Sequence, residues 1–317
     1  MPHALWHLSD TQSAIQPAEQ TDEGLRVQAH YSLVSTGTER LVATGGVPRS
    51  LHTDMRVPGM IGTFSFPLTY GYSWVGKVEA PAHPLHKQMV HTLWPHQTEI
   101  CAPAEVLFPI PQEVPPLRAT LASNMETVVN AIWDSGVSLG DRVLVVGFGM
   151  IGGLLSRTLS RMPGVQVQVA ETDEQRRSQH LDMGFEAWDG QPADLAFHTT
   201  ATGGGLQRAI DAVGQEGKII ELSWYGEREA KVQLGGDFHY GRKQIISSQV
   251  ANLPSGHRAR WDFRRRKAVV MELLKDPGYD AHITQVLPFA QAPAFFEELR
   301  LGVMPPLGTA FDYSSKI

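Results

Sequence analysis

Six residues, Gly147-Phe148-Gly149-Met150-Ile151-Gly152, spell G-x-G-x-x-G. Such spacing is common in glycine-rich turns, so its meaning comes from its flanks. Before it, Arg142-Val143-Leu144-Val145-Val146 is a short apolar run suited to a buried parallel strand, and after it a helical pattern begins. In that setting Gly147 makes the tight turn, Gly149 lets backbone N–H groups approach a pyrophosphate, and Gly152 lets the helix pack close to the sheet. The positive end of the helix dipole would face the phosphates. Glu171 ends the next strand, 19 residues beyond Gly152. That interval suits a carboxylate binding the adenosine ribose hydroxyls, and the same charge repels a 2′-phosphate, so NAD is expected over NADP. Arg176 and Arg177 lie on the following helix, where either reaches a 2′-phosphate or faces solvent. Trp224 and Tyr225 follow a strand ending at Leu222, at the carboxyl edge where α/β sheets take ligands. They are candidates to flank nicotinamide or a flat substrate, or they fill a packing role.

The elements that must position these groups alternate. The pattern predicts a helix over Asn124 to Asp134, then strands at Val165 to Ala170, Asp194 to Thr199 and Gly217 to Leu222. Helices are expected between them, at Ile151 to Met162, Gln175 to Met183 and Leu206 to Val213. This alternation implies an α/β, doubly wound parallel sheet. Residues 1 to about 122 read instead as β-rich, with short apolar stretches at Leu25 to Tyr31, Val75 to Glu79 and Ile100 to Ala104 among Gly and Pro punctuation. Pro109, Pro111, Pro115 and Pro116 suggest an extended strip. Two helices, Asp262 to Lys275 and Ala294 to Leu301, are expected near the end. The resulting division is 1–123, 124–258 and 259–317, with the last part returning to the first.

Composition narrows the function classes. The chain has 317 residues, enough for two domains. Lys plus Arg number 27 against 33 for Asp plus Glu, a net charge of -6, which disfavours a phosphate-tracking nucleic-acid partner. One cysteine, Cys101, excludes a disulfide framework and a four-cysteine zinc site. No apolar run approaches the ~18 residues of a membrane span, and Met1 to His7 lack the pattern of a signal peptide. A cytoplasmic location with no membrane partner is expected. The basic run His257 to Lys267 reads as the solvated face of an amphipathic helix whose Phe263, Val270, Met271 and Leu274 share the apolar side. The sharper alternative has Arg258 or Arg260 binding an anionic group of the substrate.

With these residues in place, the chain resembles the medium-chain dehydrogenase/reductase superfamily over nearly its whole length. In that superfamily a Rossmann domain is inserted into a β-rich, GroES-like catalytic domain. Thr36-Gly37-Thr38-Glu39 stands where zinc-containing members carry Cys-Gly-Thr-Asp, and Gly71-Tyr72-Ser73 where they carry Gly-His-Glu. Ser123, in Ser123-Asn124-Met125-Glu126-Thr127, stands at the third ligand position. Thr36, Tyr72 and Ser123 therefore replace the metal ligands. Their hydroxyls are poor zinc ligands beside thiolate and imidazole, so no zinc site is expected. Ser35-Thr36-Gly37-Thr38-Glu39-Arg40-Leu41, Gly45, Pro48 and Gly71-Tyr72 look similar to the branch that oxidises the 3-hydroxyethyl group of a bacteriochlorophyllide. Ser73 departs from the Gly-Tyr-Glu of that branch, which weakens the transfer of its substrate.

The resemblance implies a set of candidates. Thr38 takes the place of a proton-relay hydroxyl, while Leu41 interrupts the relay where a histidine would follow. Tyr72 stands in the vacated ligand position as a phenolic donor or acid/base, or as an aromatic filling the space of the metal. Glu39 reads as a structural carboxylate or a catalytic base. His96 is a proton-transfer candidate among thirteen histidines. Thr127 and Ser223 join the cofactor-binding candidates. Three functions follow. The first is a zinc-independent NAD-dependent dehydrogenase interconverting a secondary alcohol and a ketone on a small-molecule substrate. The second is an NADPH-linked quinone or enoyl reductase, and the third a catalytically silent nucleotide-binding protein. A homodimer is the expected assembly.

Overall fold

The computed structural model describes residues 1–19 and 23–315. The chain forms two compact units: Met1–Ser123 with Met271–Ile317, and Asn124–Val270.

In the second unit every strand is parallel. We label them β1 (Arg142–Val146), β2 (Gln166–Ala170), β3 (Glu186–Ala187), β4 (Ala193–His198), β5 (Val213–Glu221) and β6 (Gln244–Ser247). Their spatial order is β3-β2-β1-β4-β5-β6. The order reverses direction between β1 and β4, where Leu195 to His198 run beside Val143 to Val146. Helices α1 (Ala122–Ser135), α2 (Met150–Leu159), α3 (Glu174–Asp182) and α4 (Gly203–Ala212) precede or connect the strands, and α5 (Phe263–Leu273) follows them. Leu144, Val146, Ala196, Ile219, Leu206, Ala209 and Ile210 pack into one core. The near-continuous apolar runs of β1 and β4 are therefore explained by burial on both faces. The α/β doubly wound fold read from the sequence is present.

The other unit is built on antiparallel pairing. Leu25–Val34 is central, bonded to Trp74–Val78, Glu99–Ala102 and Gly308–Asp312. The strip expected at the prolines is instead a two-residue strand, Phe108–Pro109, followed by a short helix, Pro116–Ala119. A helix at Thr36–Ala43 was not expected, because Thr-Gly-Thr-Glu has no strong helical pattern. Glu39 supplies what the pattern lacks, accepting the Ser35 N–H at 2.8 Å across the first turn.

Two expectations about the basic run are corrected. The chain returns to the first unit at Met271 rather than at residue 259. Arg266 and Lys267 are buried, at 3% and 8% exposure, while Phe263 is 51% exposed. The cause is Glu126 on α1, a buried carboxylate that pairs with Arg266 at 3.3 Å and with Lys267. Arg266 also donates to Asn130 Oδ1 at 2.9 Å and to the Val250 carbonyl at 2.7 Å. These bonds hold residues 263–270 of α5 in the second unit, since breaking them would strand buried charge. Arg258 and Arg260 are exposed, with Arg258 Nε donating to the Leu253 carbonyl at 2.7 Å.

One buried base in the first unit makes its stability depend on pH. His7 Nδ1 lies 2.8 Å from Ser13 Oγ and 3.2 Å from the Arg300 guanidinium. Burial, then the Arg300 charge and His96, push its pKa from 6.5 to about 3. The unfolded chain thus binds this proton more readily than the folded one. Stability is expected to fall as pH drops below about 6.5 and to keep falling towards about 3. The slope is at most about 1.4 kcal/mol per pH unit. Urea melts of the parent and of His7→Gln between pH 7 and 4 check this, and equal slopes would refute it.

Candidate active site

The turn after β1 is shaped for a close visitor. Gly147 adopts φ +99°, and its N–H bonds the Ala170 carbonyl at 2.9 Å. A side chain on Gly152 would lie 1.9 Å from the Gly147 carbonyl oxygen, so the helix can begin there only on glycine. Gly149 differs, because a Cβ there meets nothing within 4 Å and its backbone faces open space. α2 starts at once, with Gly149 as its cap and no side chain satisfying its first N–H groups. Those donors and the helix dipole favour an anion.

Glu171 joins this turn directly. Its Oε2 accepts the Phe148 N–H at 2.7 Å, and its Oε1 accepts the N–H groups of Thr172 at 2.6 Å and Asp173 at 2.9 Å. A carboxylate held by three donors is fixed beside the turn. The Phe148 ring is fully buried against His180 and Phe185, so this residue contributes backbone and no ring face to the site. Met150 is buried and Ile151 half-buried on α2. Arg176 is half-buried, its N–H donating to the Asp173 carboxylate that caps α3. Thr127 lies half-buried in the second turn of α1.

At the carboxyl ends of β4 and β5 lies a group that the sequence reading missed. His198 ends β4 fully buried, and its Nδ1 donates to the Glu221 carboxylate at the end of β5, at 2.8 and 2.9 Å. Its Nε2 meets Thr200 Oγ1 at 2.7 Å. Tyr225 Oη donates to Glu221 Oε2 at 3.1 Å, and the Ser223 N–H donates to Oε1 at 2.7 Å. Ser223 Oγ accepts the Ala201 N–H at 2.9 Å. Ser223 and Tyr225 thus belong to one network, whereas no hydrogen bond of Trp224 is described. An ionisable residue closing each of two neighbouring strands was the signal available.

In the first unit, Tyr72 is half-buried. Burial, then the charge of Glu39, pushes its pKa up to about 12, against the opposing hydrogen bonds of Ser35 and Thr38. The phenol is therefore a donor at neutral pH and not a base. His96 and Glu39 occupy one sealed chain. His96 Nε2 lies 2.8 Å from Glu39 Oε2, its Nδ1 lies 2.7 Å from Ser32 Oγ, and Ser32 Oγ lies 2.7 Å from Tyr313 Oη. Both side chains are 1% exposed and both imidazole nitrogens are engaged. The geometry leaves neither side chain open to a reactant.

The remaining hydroxyls close on backbone. Ser123 Oγ donates to the Tyr72 carbonyl at 2.6 Å, and Ser73 Oγ donates to the Thr120 carbonyl. The Nε2 of buried His91 lies 3.3 Å from each of these oxygens. Among the described residues, no three His, Cys, Asp or Glu side chains come together to hold a metal. No helix among them is long and apolar enough to cross a membrane.

No family model matches the chain. The D-guloside 3-dehydrogenase of Escherichia coli K12 is 26% identical over 184 residues, covering 52% of each protein. The chain thus spans about half the length of the curated relatives it matches. Whole-chain likeness comes from solved structures. An alcohol dehydrogenase of Escherichia coli CFT073, in complex with NADH, superposes with TM-score 0.76 at 14% identity, covering 98% of this chain and 99% of that one. A zinc-binding dehydrogenase of Sinorhizobium meliloti 1021, bound to NADP, gives TM-score 0.75 at 15% identity with the same coverage. The fold is that of these dehydrogenases.

Proposed function

We propose that this chain is an NAD-dependent oxidoreductase of alcohol dehydrogenase type, interconverting a secondary alcohol and a ketone without a zinc ion at the substrate oxygen. The observation that carries the reading is the unfilled approach to Gly149 beside a fixed Glu171 carboxylate. These residues fit a dinucleotide: Gly149 and the first turn of α2 would hold the pyrophosphate, and Glu171 the adenosine ribose. A bound nicotinamide supplies the hydride donor or acceptor.

The chain's own groups do the rest. Where a metal would polarise the substrate oxygen, Tyr72 donates a hydrogen bond, with Thr38 and Ser35 holding the phenol in place. The donor set supports the absence of zinc. Ser123 and Ser73 spend their hydroxyl protons on backbone carbonyls, and their oxygens face His91. Hydroxyls engaged in this way are weak ligands for a divalent ion. The guloside dehydrogenase relative makes ring secondary alcohols of glycosides the first substrates to try, with a ketone product.

The test is a fluorescence titration with NADH and NADPH, followed by a panel of glycosides, secondary alcohols and ketones in the presence of chelator. Saturable NADH binding and chelator-resistant turnover are expected. A chelator that abolishes turnover, with zinc restoring it, would overturn the metal-free reading. For cofactor choice, Glu171→Gln is expected to shift the NADH to NADPH affinity ratio about 10-fold towards NADPH, or about 1.4 kcal/mol. A parent protein that prefers NADPH would overturn the assignment of NAD.

A further inference from the structure

The proposed reaction liberates a proton, and the candidates described in the first unit are not open to take it. Tyr72 stays protonated at neutral pH, and Glu39 and His96 are sealed against each other. The nucleotide unit carries an alternative at the carboxyl ends of β4 and β5. In a doubly wound sheet, the half of the dinucleotide distal to adenine lies over the strands past the point of reversal, here β4 and β5. A buried imidazole–carboxylate pair is costly to place there and does nothing for the apolar core beneath it.

The pair also has a direction. At one end, Tyr225 is half-buried and donates its phenolic proton to Glu221; burial and then Glu221 raise its pKa, so it acts only by handing that proton to Glu221 as it takes another. In the middle, Glu221 accepts from His198 Nδ1. At the far end, His198 Nε2 meets Thr200 Oγ1 at 2.7 Å, which lies 2.9 Å from the Oγ1 of exposed Thr202. Arg228 is the other charge facing Tyr225, donating from Nε to its carbonyl at 3.1 Å. Every member is within hydrogen-bond reach of the next, and the chain ends at solvent.

We propose that Tyr225, backed by the Glu221–His198 pair, is the acid/base group of this reaction, with Thr200 and Thr202 joining the pair to solvent. The proposal rests on the functional reading above. In the oxidising direction, the carbinol C–H bond breaks and its hydride passes to the nicotinamide. The hydroxyl O–H bond breaks and its proton passes to Tyr225 Oη as the phenol's own proton moves to Glu221. The step starts from the doubly protonated imidazole: as Glu221 takes the phenol's proton, the Nε2 proton of His198 passes to Thr200 and Thr202 while Nδ1 keeps its own, so the pair's proton count is unchanged. Reduction runs the same transfers backwards.

The oxidised nicotinamide is cationic, so its arrival should expel the relay's proton, and the neutral reduced ring should not. Indicator-dye stopped flow in weak buffer between pH 6 and 9 measures this without any substrate. The parent is expected to release protons on NAD binding and none on NADH binding. His198→Gln should bind NAD within about 3-fold of the parent and lose most of the release, and Glu221→Gln gives the same reading should the first variant not fold. With a turned-over substrate, Tyr225→Phe should lower kcat about 100-fold, keep its NADH affinity and lose the pH dependence of kcat. Unchanged proton release in both network variants, or Tyr225→Phe turning over at the parent rate, overturns the proposal while leaving the functional reading intact. A parent that binds neither NAD nor NADH overturns both.

Discussion

Replacing Gly149 with alanine is expected to weaken NADH binding about 100-fold while the melting temperature stays within a degree or two of the parent. The contrast with its neighbour makes this informative. An alanine at Gly152 would drive a methyl group to 1.9 Å from the Gly147 carbonyl, so that variant fails for reasons internal to the turn. At Gly149 the methyl group meets no protein atom within 4 Å, and the backbone, at φ -81°, tolerates a side chain. The only thing it obstructs is a ligand lying against the backbone. Losing two charge-assisted hydrogen bonds at about 1.5 kcal/mol each gives the expected factor. Titration by fluorescence, paired with thermal melting, checks it. Parent-like NADH affinity in Gly149→Ala would show that no pyrophosphate docks on this turn.

Tyr72→Phe is expected to lower kcat by about 100-fold or more, with KM changed only a few-fold. The donor acts where charge develops on the substrate oxygen, so its loss is felt in the transition state more than in binding. The effect should be flat with pH through the neutral range, because burial and Glu39 hold the phenol protonated up to about 12. Any titration seen near neutrality then belongs to another group and should survive in Tyr72→Phe. Steady-state kinetics from pH 6 to 10 separate the two. A variant that keeps full kcat, or that removes a limb of the neutral pH profile, would disprove the donor role.

The second unit was largely legible in the sequence because its signals are local. An apolar run, a glycine turn, a helical pattern and one acid at a fixed interval all fall within Arg142 to Glu171, and each stands where it was expected. What could not be read depends on contacts made across the chain. His198 and Glu221 lie 23 residues apart and meet only because β4 and β5 are neighbours. The burial of Arg266 and Lys267 depends on Glu126, roughly 140 residues earlier, so the helix pattern alone pointed to a solvated face. His96 shows the opposite failure. Its residue type suited proton transfer, but Ser32 and Glu39, brought in from a strand and a helix far from it in sequence, occupy both its nitrogens.

The two serine hydroxyls that cap the Thr120 and Tyr72 carbonyls also act as a ratchet. Converting Ser123 to a thiol-bearing residue, a weak donor, or Ser73 to an ionised acid, which has none, would leave a buried carbonyl poorly satisfied, at a cost of up to about 1–3 kcal/mol per position. That loss arrives with the first substitution, whereas any gain from binding an ion waits until several are in place. Stepwise acquisition of a metal site is therefore uphill from the start, and laboratory evolution for zinc affinity should stall unless several of these positions change together.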